Sequence, residues 1–178
     1  MEEDILPTVI SEIEKYFHFL FERGFKIQSK TYYPQAFGDW EIVLESPSCQ
    51  IRIGTDRGEV ILGFLPLKAH SNFAVGLRAA IYFLSRGEQY IGVYKGNILD
   101  SEKQLEMYAN LLEKHLDQIL PLFGDGHEKY REDLLIAQQK VNDLKGEELR
   151  PKNLELIRIS EERNRALKES LKHQKPNS

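Results

Sequence analysis

The sequence predicts an α+β domain, and three observations carry that prediction. Between residues 25 and 65, four short runs alternate apolar and polar side chains with the period of two expected of β-strands. Clusters of Gly, Pro, Ser and Asp separate those runs, as turns require. On either side of them, apolar residues recur every three or four positions, the period of an amphipathic helix. The fold class read from this pattern is a four-stranded antiparallel β meander with an N-terminal helix and a helical C-terminal half.

The first helix is placed over residues 8–23. Pro7 suits its first turn, where a missing N–H costs nothing, and Ile10, Ile13, Phe17, Leu20 and Phe21 form its apolar face. Gly24 stands where helices commonly end in a left-handed residue. The strands are expected over residues 25–33, 39–45, 49–55 and 59–65. Trp40, Ile42 and Leu44 point to one side and Glu41, Val43 and Glu45 to the other; Ile51 and Ile53 oppose Gln50 and Arg52. Such alternation describes antiparallel strands with one buried face. Ser46-Pro47-Ser48 and Asp56-Arg57-Gly58 supply the turns. The fourth strand is apolar on both faces, which predicts an interior position, and Pro66, lacking a ladder donor, ends it.

Helices follow. Phe73, Leu77, Ala80, Ile81 and Leu84 define one that stops at Gly87. Residues 90–94 are compatible with a short extra strand or a buried loop. Ser101 and Gln104 have the spacing of a capping box and open a helix with Leu105, Tyr108, Leu112, Leu116, Ile119 and Leu120 on one face. Pro121 is expected to kink or end it, and Gly124-Asp125-Gly126 to break the chain again. A helix over residues 128–144 is followed by Gly146 and Pro151 as interruptions, then by a helix-compatible stretch over residues 154–172. There Leu156, Ile159, Leu167 and Leu171 make a narrow stripe suited to an interhelical seam. The domain organisation expected is a single α+β domain over residues 1–146 and a helical tail over residues 147–178, with a disordered end.

Composition bounds the function. The 178 residues are 41% apolar and 29% charged, as in ordinary globular proteins. A formal charge of −4 argues against a general nucleic-acid binder, which needs a basic face. No apolar run approaches the roughly 20 residues of a membrane span, so no membrane partner is expected. The acidic start Met1-Glu2-Glu3-Asp4 is unlike a secretory signal, and a cytoplasmic location is expected. Charge is uneven: residues 140–178 hold 10 Lys and Arg against 7 Asp and Glu, leaving 14 against 21 in residues 1–139. An acidic body of net −7 thus carries a tail of net +3.

Reactive motifs are missing. There is no GxSxG, HExxH, P-loop or GxGxxG pattern. The single Cys49 excludes an intramolecular disulfide, and no two of the five histidines sit at i,i+3 or i,i+4. No cofactor, metal site or catalytic residue is therefore expected, and the weight falls on a protein that is not an enzyme. The candidate binding residues lie at element ends, where binding groups tend to sit. Phe37, Asp39 and Trp40 flank Gly38 in the first hairpin loop, and Asp56 and Arg57 gather charge at the second hairpin tip. Arg is favoured at interface hot spots. His70 stands in a turn before a helix, and Tyr94 belongs to Tyr90-Ile91-Gly92-Val93-Tyr94-Lys95, a segment able to line a cleft. In an alternative reading, Asp39, His70 and Tyr94 serve a small molecule or acid–base chemistry at the sheet-to-helix loops.

The phrases Phe19-Leu20-Phe21-Glu22-Arg23-Gly24-Phe25-Lys26, Trp40-Glu41-Ile42-Val43-Leu44 and Ile51-Arg52-Ile53-Gly54-Thr55-Asp56-Arg57-Gly58-Glu59-Val60 form a helix ending in Gly-Phe, then a meander with an Asp-Arg-Gly turn. Over about residues 10–90 this resembles small uncharacterised bacterial α+β proteins, including toxin-neutralising immunity proteins of polymorphic toxin systems. The resemblance implies a non-catalytic module that binds a protein partner, and assigns no individual residue a role. An acidic body would steer a basic partner electrostatically. The C-terminal helix offers a second contact, in a homo-oligomer.

Overall fold

The computed structural model of the protein describes residues 5–67, 74–92 and 100–173. The chain forms two compact units, Met1–Val141 and Asn142–Ser178. The first is α+β. Its elements are α1 (Ile5–Tyr16), α2 (His18–Glu22), β1 (Lys26–Tyr33), β2 (Asp39–Glu45), β3 (Cys49–Asp56), β4 (Glu59–Pro66), β5 (Val75–Gly76), α3 (Leu77–Leu84), α4 (Ser101–Phe123) and the start of α5 (His127–His173). Among the described residues the strands form one antiparallel sheet in the order β1-β2-β3-β4-β5.

The sheet has one strand more than the alternation predicts. Two residues are too few to leave a periodic trace, yet Val75 and Gly76 pair with Phe64 and Gly63 and cover part of the β4 edge. The rest of that edge is completed by side chains. Gln104, fully buried, accepts from the Val60 N–H at 2.9 Å and donates to the Gly58 carbonyl at 3.0 Å, so its amide occupies the place of a neighbouring strand. Gln138 accepts from the Gly76 N–H at 2.8 Å on the outer edge of β5. Gln104 therefore does not close a capping box with Ser101. The α4 cap is Asp100, whose carboxylate accepts from the Lys103 N–H at 3.3 Å.

The first helix is also divided. It breaks at Phe17, and the reorientation lets Phe19 and Leu20 both reach the core beside the fully buried Phe17. The Gly24 and Phe25 N–H groups then bond the Phe21 and Leu20 carbonyls at 3.0 Å, with Gly24 at φ +85°. That is a Schellman end, and it needs a left-handed residue at Gly24. Downstream, α4 continues through Pro121 and ends two residues later at Phe123. Helix α5 runs through Gly146 and Pro151, where interruptions were expected. Strong helix formers (Glu, Leu, Lys, Arg) surround both residues and offset their local cost. Residues 90–92 form no strand.

The core lies on one face of the sheet. Trp40, Ile42, Leu44, Ile51, Ile53, Val60, Leu62 and Phe64 pack there against Val9, Ile13 and Leu20 and against α3 and α4. Leu134 and Val141 bring the first turns of α5 into the same cluster. Cys49 is fully buried in it, and burial pushes its thiol up to about 11. On the outer edge, β1 is largely exposed, carries Lys26 and Lys30 and shifts register between Ile27 and Ser29. Charge and irregularity of this kind blunt strand addition by another chain. In the second unit, α5 exposes Leu154 and Ile159, and Arg158 pairs with Glu155 and Glu162.

Candidate interaction surface at the hairpin tips

Both hairpin tips lie at the same end of the sheet, because β1 ends and β2 begins where β3 ends and β4 begins. In the first tip, the Ala36 N–H bonds the Tyr33 carbonyl and the Asp39 N–H bonds the Ala36 carbonyl, each at 3.0 Å. Phe37 and Gly38 both take positive φ, +60° and +77°. A bulky side chain in that region is a genuine departure from the usual backbone, and the Phe37 side chain gains no core burial from it: the residue is 83% exposed. Tyr33, at the end of β1, is also exposed.

The second tip is a two-residue turn. Asp56 pairs with Glu59, and Arg57 and Gly58 between them have φ +52° and +82°. Two successive positive φ values define the I′ type, whose twist matches that of the strands. The Arg57 and Asp56 side chains are 79% and 72% exposed, with Arg57 Nε 4.0 Å from Asp56 Oδ1.

A buried carboxylate joins the tips. Asp39 Oδ2 accepts from the Arg57 N–H at 3.1 Å, and Thr55 Oγ1 accepts from the Trp40 N–H at 3.2 Å. Asp39 is almost fully buried and the Trp40 ring lies in the core. The five described candidates thus sort into two groups. Asp39 and Trp40 build the platform, whereas Phe37, Asp56 and Arg57 face solvent upon it. His70 and Tyr94 lie outside the described residues, and so does any convergence of Asp39 with them.

Behind the second tip is a polar cluster built around a buried arginine. Arg78, 9% exposed, donates from Nη1 to Glu59 Oε1 at 3.3 Å, while its Nε and Nη2 have no hydrogen-bond partner. Its guanidinium sits 5.5 Å from the centre of the Tyr108 ring. Burial raises the Tyr108 phenol above its ordinary value, and the neighbouring Arg78 charge works against that rise. No periodicity signals such a group, because Arg78 occupies an otherwise apolar helix face.

Chemically, the tips offer an exposed aromatic ring, a guanidinium and a carboxylate on a braced backbone. Among the described residues, no group of three or more His, Cys, Asp or Glu could hold a metal ion. None of the helices there is long and apolar enough to cross a membrane. The chain matches no protein-family model, no curated protein and no solved structure in the comparisons made.

Proposed function

We propose that this protein is a non-catalytic protein-binding module whose contact surface is the hairpin-tip end of the sheet. The observation that carries the reading is Phe37, a large apolar side chain presented to water from a left-handed backbone position. Such strain persists only where surrounding structure over-determines it, and it gathers at functional sites. The Asp39–Arg57 bond supplies that bracing. An exposed aromatic on one tip and an exposed Arg on the other, at the same end of the sheet, have the composition of an interface hot spot, and a braced backbone leaves less ordering entropy to lose on binding.

The net charge of −7 over residues 1–139 favours a basic partner. Together with the resemblance described above, this supports a toxin-neutralising role in a bacterial cytoplasm. The test is a tagged pull-down from the native host with mass-spectrometric identification. One stoichiometric protein should co-purify with the wild type. Phe37→Ala should weaken it by about 2 kcal/mol or more, the range of a hot spot. Arg57→Asn removes the charge yet keeps a residue that tolerates positive φ, and should weaken binding without loosening the turn. Recovery of no partner, or equal recovery with Phe37→Ala, would sink the reading.

A second contact rests on α5 in the second unit, where Leu154 is 61% exposed. We infer self-association through that stretch. Leu154→Glu with Ile159→Glu in the full chain should lower the mass measured by sedimentation, and an unchanged mass would exclude it.

A further inference from the structure

The part of α5 that belongs to the first unit carries an exposed stripe with an apolar centre. Ile136 is 60% exposed, and Asp133 and Lys140 stand exposed on either side of it along the helix. With Ala137 these residues form one wall of a shallow groove of about 390 Å³, and the C-terminal end of α3, with Phe83 and Arg86, forms the other.

The groove is firmly built. The Phe83 ring meets the Tyr130 ring edge-on at 6.1 Å and so holds α3 against α5. Beyond it, Arg86 and Gly87 take φ +56° and +86°, and their N–H groups bond the Phe83 and Tyr82 carbonyls at 3.0 and 2.8 Å. Those carbonyls at the helix end are thereby occupied, which leaves the charge of the groove to its side chains. Among the described residues, Asp133, Lys140 and Arg86 enter no ion pair.

Asp133 and Lys140 are seven positions apart, so they share one flank of α5, two turns and about 10 Å from each other. They are too distant to pair within the chain. A stripe with opposite charges at its two ends and an isoleucine midway is complementary to itself. A two-fold axis perpendicular to α5, at the level of Ile136, reverses the helix direction and preserves its flank. It sets Asp133 of one copy opposite Lys140 of the other, twice over, with the two Ile136 side chains between the pairs. On the other flank it brings Glu132 opposite Gln139, so no like charges meet there. We propose that this face of α5 is a contact between two copies of the chain, packed antiparallel, with reciprocal Asp133–Lys140 ion pairs around Ile136. Its small apolar centre makes it a weak, concentration-dependent interface, separate from the hairpin tips and from Leu154 and Ile159.

The test is sedimentation equilibrium over a range of concentrations, on the full chain carrying Leu154→Glu and Ile159→Glu so that the contact inferred at those residues cannot contribute. The mass should rise with concentration from one chain toward two. Lys140→Glu alone, or Asp133→Lys alone, sets like charges opposite each other at two places and should weaken association about tenfold. The two substitutions together exchange the charges and restore complementarity, so association should recover. Both positions are exposed, and an unchanged circular dichroism spectrum identifies a folded variant. A mass of one chain at every concentration, an association indifferent to Lys140→Glu, or an exchange that fails to restore it would overturn the proposal.

Discussion

The carboxylate of Asp39, at the first residue of β2, accepts a hydrogen bond from the backbone N–H of Arg57 in the next hairpin but one strand end away, at 3.1 Å. One buried side chain thereby fixes the spacing of two tips that are 18 residues apart. Removing it leaves the Arg57 N–H without its partner, and an unsatisfied donor of this kind costs about 1–3 kcal/mol. Asp39→Ala should lower stability by that amount in urea unfolding, and Asp39→Asn, which keeps a carbonyl acceptor, by about half as much. Equal losses would assign the effect to packing.

Phe37 should behave in the opposite sense. A left-handed L-residue costs about 1–2 kcal/mol, and glycine recovers that at an entropic cost of about 0.5–1 kcal/mol. Phe37→Gly should therefore stabilise the fold by about 0.5–1 kcal/mol while weakening partner binding. A destabilised variant would show that the ring packs against its own domain.

The Arg78–Glu59 pair predicts an asymmetry. Stripping the partner from a buried charge is costly, whereas replacing the charge by an apolar side chain is often neutral or stabilising. Glu59→Gln should cost about 2–3 kcal/mol, and Arg78→Met less than about 1 kcal/mol. In the Arg78→Met background the Glu59→Gln penalty should shrink by about 1–2 kcal/mol. An unchanged penalty there would dissolve the coupling.

Cys49 makes stability fall in alkali. Its thiol is raised by burial to about 11 in the folded protein, from an ordinary value of about 9. The unfolded chain therefore loses that proton first. The contribution is intact below about pH 9 and is lost as pH rises through about 11. Two pH units correspond to about 2–3 kcal/mol. Unfolding free energies between pH 8 and 11 should show a steeper decline for the wild type than for Cys49→Ala. Parallel curves would show that the thiol does not titrate differently on folding.

Much of the architecture was legible in the chain because it rests on local periodicity. The alternation around Ile42 and Leu44 places four strands and their buried face, and Asp56-Arg57-Gly58 identifies the turn between β3 and β4. The candidate surface was legible only in part. Phe37 and Trp40 look alike as loop aromatics, yet one is exposed and the other is core; the difference depends on a backbone angle at Phe37 that local composition does not specify. His127 drew no notice for a similar reason: a histidine beside Gly124 and Gly126 reads as a loop residue, and only the folded chain stacks it on Phe123.

What the sequence by itself determined is therefore the class of the fold, the order of its elements and the absence of reactive motifs, since each follows from neighbours along the chain. The tertiary structure alone decided the fifth strand, the strand-like role of Gln104, the burial of Arg78 and the bond from Asp39 to Arg57. Each of these satisfies a backbone or charged group with a partner 11 to 46 residues away, and a pattern of local period carries no information about which distant group will meet that need.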